Sequence, residues 1–430
     1  MNTPEDNGLL RFLTCGSVDD GKSTLIGRLL HDSRAILADT LQAIERTSAR
    51  RGLETIDLSL LTDGLQAERE QGITIDVAYR YFSSGRRTYI IADAPGHEQY
   101  TRNMVTAAST ADLAIIMIDA RRGVQTQTRR HTWIAALLGI PHLVVAINKM
   151  DLVDHAQSVF ERIRADYLAF AARAGIGTVR FVPMSALHGD MVVERGERLD
   201  WYEGPTLMDM LETAHTRADA HAQPLRFPVQ WVCRPQDPAN PALHDYRGFM
   251  GRVESGRIAV GDPVSVLPSG LRTRVKAIQI GGDPLDRAVA EQSVALLLED
   301  DIDVSRGDMI VAPEQPPRVL REITADLCWL STQPMDRART YLIRHTTREV
   351  RAKLVAIDHR LDVNTQERQP AERLAMNDIA RVRFRLAHPV FADAYASNRS
   401  TGAFVVIDEG SYGTVGAGMI VEEVGPAAEA

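Results

Sequence analysis

A glycine-rich segment near the N-terminus, Gly16-Ser-Val-Asp-Asp-Gly-Lys-Ser23, fits the pattern of a phosphate-binding loop. An apolar run, 9–14, precedes it and a helix-period segment, 23–30, follows it, which is the context that this pattern requires. Backbone N–H groups of such a loop surround the α- and β-phosphates at a helix N-terminus. We expect Lys22 to reach the β- and γ-phosphates and Ser23 to bind Mg²⁺. The alternative is a glycine turn that only begins a helix.

A second motif, Asp93-Ala-Pro-Gly-His97, follows the apolar run 89–92. An Asp at the end of a strand beside a phosphate loop can hold Mg²⁺ through water. Gly96 has no Cβ, so its N–H can approach a γ-phosphate closely. These two residues place His97 where the attacking water would lie, although a lone His after a glycine turn is more often a surface residue.

A third motif, Asn148-Lys-Met-Asp151, ends the apolar run 142–148 and suits base selection. The Asp151 carboxylate can accept from both the N1–H and the exocyclic amine of guanine, whereas adenine would leave it unpaired. A site that pairs a specific donor rejects an analogue without that donor. The Ser185-Ala186 pair ends another apolar run, 179–184, and could add a backbone N–H to the guanine O6. Taken alone, either motif could be an ordinary turn.

Thr74 lies just before the strand-like run 76–82. A threonine there can close over Mg²⁺ and the γ-phosphate, or it can simply begin a strand. The long polar stretch 32–71 before it suits a loop that orders and disorders with the nucleotide.

The motifs together predict Mg²⁺-dependent GTP hydrolysis, because all of them fall at the ends of strand-like runs, where open α/β sheets bind ligands. The expected catalytic residues are His97, Thr74 and Lys22, and the expected metal ligands are Ser23, Thr74 and Asp93. The expected nucleotide-binding residues are Gly16, Ser17, Val18, Asp19, Asp20, Gly21, Lys22, Ser23, Thr24, Asp93, Gly96, Asn148, Lys149, Asp151, Ser185 and Ala186.

The elements that must position these residues alternate between apolar runs and helix-period segments as far as about Thr216. Strands are expected at 9–14, 88–92, 113–119, 142–148 and 179–184, with helices at 23–30, 128–138 and 159–173. Strands that alternate with helices indicate parallel crossovers. We therefore predict an α/β P-loop domain, with an open, mostly parallel sheet and helices on both faces.

From Pro224 onward the chain consists of short strand-like runs separated by Gly, Pro and Asp, which is typical of small β-barrels. The segment 312–318 contains three prolines and reads as a linker. We predict a GTPase domain over 1–222, a first barrel over 223–314 and a second over 315–430.

Composition favours a cytoplasmic protein. Cys15, Cys233 and Cys328 are few and far apart, which suits a reducing compartment. No apolar run approaches the roughly 20 residues that cross a bilayer, so we expect no membrane partner. The net charge of −8 gives no sign of nucleic-acid binding, although a local basic patch could still hold a polyanion.

The sequence resembles the translation-factor GTPases, which have a GTPase domain followed by two β-barrels. The resembling motifs are Val18-Asp-x-Gly-Lys, Gly72-Ile-Thr-Ile75, Asp93-x-Pro-Gly-His97 and Thr414-Val-Gly-Ala-Gly418. Within that superfamily it is most similar to the GTPase (large) subunits of bacterial heterodimeric sulfate adenylyltransferases. That likeness lies in the segments 16–24, 63–82, 97–104, 230–235, 246–248 and 359–365.

The resemblance implies a division of labour between two chains, with GTP and Mg²⁺ bound here. A separate, smaller ATP-sulfurylase subunit of the ATP-pyrophosphatase type would transfer the adenylyl group of ATP to sulfate, and GTP hydrolysis would drive that uphill step in sulfate assimilation. Carried over to this chain, Lys22 and Ser23 serve phosphate and Mg²⁺, Thr74 senses the γ-phosphate and His97 positions water. The residues that hold guanine would be Asn148, Lys149 and Asp151. No arginine finger can be assigned from the sequence.

A tRNA-delivering elongation factor is the main alternative, and a GTPase of ribosome rescue is the second. Arg381, Arg383 and Arg385 alternate along one strand face, where they could meet phosphates, face solvent or contact a subunit. The loop 407–413 lacks the basic residues that elongation factors tend to carry before the Val-Gly-Ala-Gly stretch.

Overall fold

The computed structural model describes residues 8–50, 52, 56–61, 74, 76–174, 176–215, 220–235 and 245–421. The chain forms two compact units. One comprises Met1–Thr216 with Asp362–Glu367, and the other comprises Arg217–Leu361 with Arg368–Ala430.

The first unit is built on a six-stranded sheet with strand order β2-β3-β1-β4-β5-β6. Its strands are β1 (Leu9–Cys15), β2 (Ala78–Ser83), β3 (Thr88–Asp93), β4 (Leu113–Asp119), β5 (His142–Asn148) and β6 (Val179–Pro183). The edge strand β2 is antiparallel to β3, and the remaining neighbours are parallel. Every residue of β4 is buried, as expected for a central strand covered on both faces. The predicted α/β domain is confirmed.

The helices of this unit connect the strands, and the first of them begins at the predicted site residue Lys22. They are α1 (Lys22–Asp32), α2 (Ala38–Arg50), α3 (Thr101–Ser109), α4 (Thr126–Leu137), α5 (Gln157–Arg173) and α6 (Leu207–Thr213). Helix α2 occupies much of the stretch that we interpreted as a polar loop. It buries only Ile44 and Ser48, so its apolar signal in the sequence is weak.

Short antiparallel strands form a first barrel, as the turn spacing predicted. They are β7 (Arg226–Cys233), β8 (Gly248–Arg252), β9 (Arg257–Ala259), β10 (Pro263–Leu267), β11 (Leu271–Ile280), β12 (Asp283–Leu285), β13 (Arg287–Val289), β14 (Ser293–Leu298) and β15 (Met309–Val311). The order β10-β15-β7-β8-β14-β11 closes on itself because β10 also pairs with β11. The interior is apolar, with Phe227, Leu296 and Ile310 fully buried.

A second closed barrel follows. Its strands are β16 (Arg318–Trp329), β17 (Thr340–His345), β18 (Arg348–Leu361), β19 (Arg368–Gln369), β20 (Ile379–Ala392), β21 (Ala403–Asp408) and β22 (Thr414–Ile420), with α7 (Arg399–Gly402) before β21. The order β17-β21-β22-β16-β20-β18 closes through the pairing of β17 with β18. Trp329, Tyr341 and Phe384 fill its core.

The two barrels pack against each other within the second unit. The guanidinium of Arg226 on β7 makes two hydrogen bonds to the carboxylate of Asp393, which follows β20, at 2.8 and 2.9 Å. An apolar cluster with Phe391 of the second barrel and Met309 of the first lies in the same interface.

Candidate active site

The phosphate loop connects β1 to α1 and is closely packed. Gly21 has a φ of 97°, a left-handed conformation that favours glycine, and a Cβ there would collide with the amide of Asn148. The Lys22 ammonium donates to the carbonyls of Gly16 at 3.0 Å and Ser17 at 2.9 Å. Burial lowers the pKa of Lys22, although the carboxylates of Asp93 and Asp20 oppose that shift. The loop therefore concentrates one buried cation beside its backbone N–H groups.

Asp20 turns into this loop. Its carboxylate accepts a hydrogen bond from the backbone N–H of Ser17 at 2.6 Å, and the residue is almost fully buried. Burial raises the pKa of Asp20 to about 6, against the opposing effects of Lys22 and of the Ser17 bond. Asp19 beside it is exposed at a φ of 68°, and Val18 is half-buried.

The Asp93 motif follows β3 and lies against the loop. The carboxylate of Asp93 is buried and accepts from the Thr14 hydroxyl at 3.4 Å. A Cβ on Gly96 would come within 2.6 Å of both the Lys22 ammonium and the Gly16 carbonyl, so a side chain there would fill the cradle. His97 is half-buried, and its Nδ1 accepts from the Gln99 N–H at 3.3 Å. The structure thus brings Lys22, Asp93 and His97 together.

A cavity of about 430 Å³ lies between these two motifs. It is lined by Ser17, Val18, Gly96, His97, Gln99 and Gln127. The γ-phosphate side of a nucleotide held by the loop would face this space.

Asn148 connects the loops that would hold the base. Its Nδ2 donates to the Asp20 carbonyl at 2.8 Å, and its Oδ1 accepts the Ala186 N–H at 2.9 Å. The Ala186 N–H, which we expected to face guanine O6, thus donates to Asn148 instead. The oxygen and the nitrogen of the Asn148 amide both have partners, as buried polar groups require. The carboxylate of Asp151 accepts the Ser185 hydroxyl at 2.6 Å, which orients it.

Lys149 lies in a left-handed conformation after β5 and contacts a residue that the sequence analysis missed. Its ammonium is 3.1 Å from Asp119, which ends β4 directly beside Asn148, and it also donates to the carbonyl of Asp19. Arg121 donates to the same Asp119 carboxylate at 2.6 Å. Burial opposes ionisation of Asp119, but the bonds from Arg121 and Lys149 hold its pKa below the usual range. The sequence signal that could have identified Asp119 is an acidic residue at the end of the apolar run 113–119.

The three other predicted site residues are Ser23, Thr24 and Thr74. Ser23 and Thr24 are half-buried in the first turn of α1. Thr74 is half-buried, while its neighbours in the Gly72–Ile75 motif lie outside the described residues.

Comparison with known proteins identifies the chain's relatives. Residues 7–217 match the elongation factor Tu GTP binding domain, and residues 322–421 match the GTP-eEF1A C-terminal domain-like family. The chain is 56% identical over 423 residues to sulfate adenylyltransferase subunit 1 of Cellvibrio japonicus, covering 98% of this chain and 88% of that protein. It is 55% identical over 419 residues to the protein of the same name from Laribacter hongkongensis, covering 97% and 86%. The chain belongs to the sulfate adenylyltransferase subunit 1 family.

This membership confirms the resemblance drawn from the motifs. Among solved structures, the chain matches sup35 complexed with GDP at 23% identity, with a TM-score of 0.43, covering 97% of this chain and 94% of that one. Among the described residues, no helix has the length and hydropathy to cross a membrane.

The three arginines that alternate along β20 form ion pairs within the second barrel. Arg381 pairs with Asp326 at 2.6 Å. Arg383 pairs with Asp358 at 3.1 Å, and Arg385 pairs with Glu322 at 3.5 Å. Because each guanidinium faces a carboxylate from a neighbouring strand, the row does not favour the tRNA-delivering alternative.

Proposed function

We propose that this chain is the GTP-hydrolysing subunit of a heterodimeric sulfate adenylyltransferase. Its GTP hydrolysis drives ATP and sulfate to adenosine 5′-phosphosulfate and pyrophosphate, while a smaller partner of the ATP-pyrophosphatase type carries out adenylyl transfer. The names of the relatives, each called a subunit 1, support a partner chain. The proposed domains are a GTPase domain over 1–222 and barrels over 223–314 and 315–430.

The observation that carries the GTPase proposal is the convergence of three loops on Asn148. Its amide joins the phosphate loop after β1 to the Ser185-Ala186 turn after β6, and it ends β5 itself. A nucleotide with its phosphates on Lys22 would then have its base near Asp151. To select one nucleotide, a protein must bind the phosphates and also contact the base with a side chain such as the Asp151 carboxylate.

In the proposed reaction, each residue has a defined task. Backbone N–H groups of the phosphate loop and the Lys22 ammonium would bind the phosphates and offset charge that develops on them. The Gly96 N–H would approach the γ-phosphate, because no Cβ intervenes. Asn148, Lys149 and Asp151 would hold the guanine.

The Mg²⁺ donor set would consist of Ser23, Thr74 and Asp93. Hydroxyl and carboxylate oxygens are the ligands that this hard cation prefers, and Asp93 lies buried next to the loop. When bound, Mg²⁺ neutralises charge on the β- and γ-phosphates.

His97 would orient the attacking water by donating a hydrogen bond to it. Since its Nδ1 accepts the Gln99 N–H, the proton of the neutral ring resides on Nε2. The Nε2–H can then donate to a water in the cavity that His97 lines.

The test measures phosphate release from GTP by the full chain together with its partner subunit. We expect GTP hydrolysis to be stimulated when ATP, sulfate and the partner subunit are all present.

His97→Ala is expected to bind GTP but lose most hydrolysis. His388→Ala, which changes an exposed histidine on β20, is the matched control and is expected to keep the wild-type rate.

Two results would contradict this proposal. Phosphate release that responds to aminoacyl-tRNA and ribosomes but ignores the partner would exclude sulfate activation. Near wild-type hydrolysis by His97→Ala would exclude its role in orienting water.

A further inference from the structure

The cavity beside His97 contains a second polar side chain held in a defined orientation. Gln127, near the start of α4, lines this cavity together with His97. Gln99 also lines the cavity, but it is exposed, whereas Gln127 is half-buried and makes two side-chain hydrogen bonds. No motif in the sequence singles out Gln127.

Those two hydrogen bonds determine which way the amide faces. Arg130 donates from Nη1 to Oε1 of Gln127 at 2.8 Å, and a guanidinium can only donate. The atom facing Arg130 is therefore the oxygen. The amide nitrogen consequently lies against Nε2 of His131, at 3.1 Å, and donates to it.

His131 is suited to accept that bond because it stays neutral. The ring is 1% exposed, and its burial, reinforced by the charge of Lys22, lowers the pKa of His131 to about 3. A neutral imidazole has one acceptor nitrogen, and here it is Nε2. Within the described part of the chain, the bond to Gln127 is the only hydrogen bond that this side chain makes. Each of the two side chains thus constrains the other.

The Gln127 amide can make further hydrogen bonds to a ligand in the cavity. An amide oxygen has two lone pairs and an amide nitrogen has two hydrogens, so one of each remains after the bonds to Arg130 and His131. The Nε2–H of His97 is a donor, and a water that accepts from it needs an acceptor for its own hydrogen before a lone pair can be aimed at phosphorus. Gln127 Oε1 is such an acceptor.

We propose that Gln127 is a positioning residue for hydrolysis: its Oε1 accepts a hydrogen bond from the attacking water to which His97 donates. This inference rests on the proposed GTPase function. Two fixed side chains, one donor and one acceptor, orient the water more completely than His97 alone.

The experiment compares Gln127→Met with wild type in single-turnover GTP hydrolysis by the full chain with its partner, ATP and sulfate. Methionine preserves side-chain length and helix propensity but makes no comparable hydrogen bond. We expect hydrolysis to slow by about tenfold, the equivalent of one ordinary hydrogen bond. The Kd values for GDP and for a non-hydrolysable GTP analogue are expected to stay unchanged, which a merely structural defect would not allow.

Gln157→Met is the matched control, because it makes the same substitution in the first turn of α5, at an exposed glutamine outside the cavity. It is expected to keep the wild-type rate. In the double variant with His97→Ala, the Gln127→Met change should slow hydrolysis by less than it does alone, because both residues act on one water.

A wild-type rate in Gln127→Met, or a parallel loss of GDP affinity, would overturn the role of Gln127 while leaving the GTPase proposal intact. Fully additive effects of the two changes would overturn the shared water. Absence of GTP hydrolysis in the wild-type complex would overturn both proposals.

Discussion

The carboxylate of Asp20 lies inside the phosphate loop, beside the backbone N–H groups that we expect to bind phosphate. It accepts the Ser17 N–H, and its pKa is raised to about 6 because the group is buried. A polyphosphate brings negative charge next to it, so binding favours the protonated form of Asp20. Nucleotide binding and proton uptake are therefore linked at this residue.

Asp20→Asn is expected to remove a pH dependence of GDP binding. Because binding takes up a proton, wild-type affinity should fall as the pH rises above about 6, by about threefold to tenfold up to pH 7.5. The neutral amide of the variant has no such proton to take up. Isothermal titration of GDP at several pH values checks this, and parallel curves for the two proteins would contradict it.

Asp151 is the residue that we propose selects the base, and the Ser185 hydroxyl donates to its carboxylate at 2.6 Å. We predict that Asp151→Asn shifts preference from guanine toward xanthine nucleotides, because the amide replaces an acceptor by a donor. Competition between GDP and XDP for a fluorescent nucleotide measures this shift. An unchanged preference would show that Asp151 does not contact the base edge.

At the scale of elements, α1 and the turn after β6 are connected by Arg28. Its Nε donates to the Ala186 carbonyl at 3.2 Å and its Nη2 to the Leu187 carbonyl at 2.5 Å. Because α1 begins at Lys22, one helix links the phosphate loop, through its start, to the Ser185-Ala186 turn, through Arg28. Arg28 thus positions the turn without touching the expected ligand.

Replacing Arg28 by Met is predicted to weaken GDP and GTP binding equally, by about tenfold, since two hydrogen bonds to the turn are lost. The hydrolysis rate at saturating GTP is expected to stay unchanged, because uniform binding does not affect kcat. Arg46→Met, at an exposed site on α2, is the control. A fall in kcat with unchanged affinity would contradict this role.

At the scale of the whole molecule, the two barrels are connected by an ion pair whose arginine is buried. Arg226 is 4% exposed, and its partner Asp393 also accepts from the Thr401 hydroxyl at 2.6 Å. Burial opposes ionisation of Asp393, but the bonds from Arg226 and Thr401 lower its pKa. The stabilisation from this carboxylate is therefore present above its ordinary pKa and is lost as the pH falls through its lowered value.

Arg226→Met is predicted to reduce the free energy of unfolding by about 1.5–3 kcal/mol, because it removes the charge-assisted hydrogen bonds that the half-buried Asp393 carboxylate accepts. Arg344→Met removes an exposed pair with Glu349 from the same unit and is expected to cost less than about 1 kcal/mol. Urea unfolding at neutral pH checks both. Equal effects of the two substitutions would mean that the barrels do not rely on the pair of Arg226 with Asp393.

The sequence alone was sufficient to predict the α/β domain and the barrels that the structure confirms. Apolar runs such as Leu113–Asp119 and His142–Asn148 have bounds that the structure reproduces, because fully buried parallel strands are continuously hydrophobic. It was less informative for α2, which is largely polar and buries few residues, and for β16, where apolar and charged residues are mixed.

Motif residues could be read from the sequence because phosphate loops and strand-end carboxylates have local signatures. Only the tertiary structure showed Asp20 turned into the loop, Asp119 under Lys149, and Gln127 fixed between Arg130 and His131. It also showed the arginines of β20 paired with carboxylates of neighbouring strands. Such contacts depend on how strands and helices distant in sequence come together, and no local pattern of residue types specifies that.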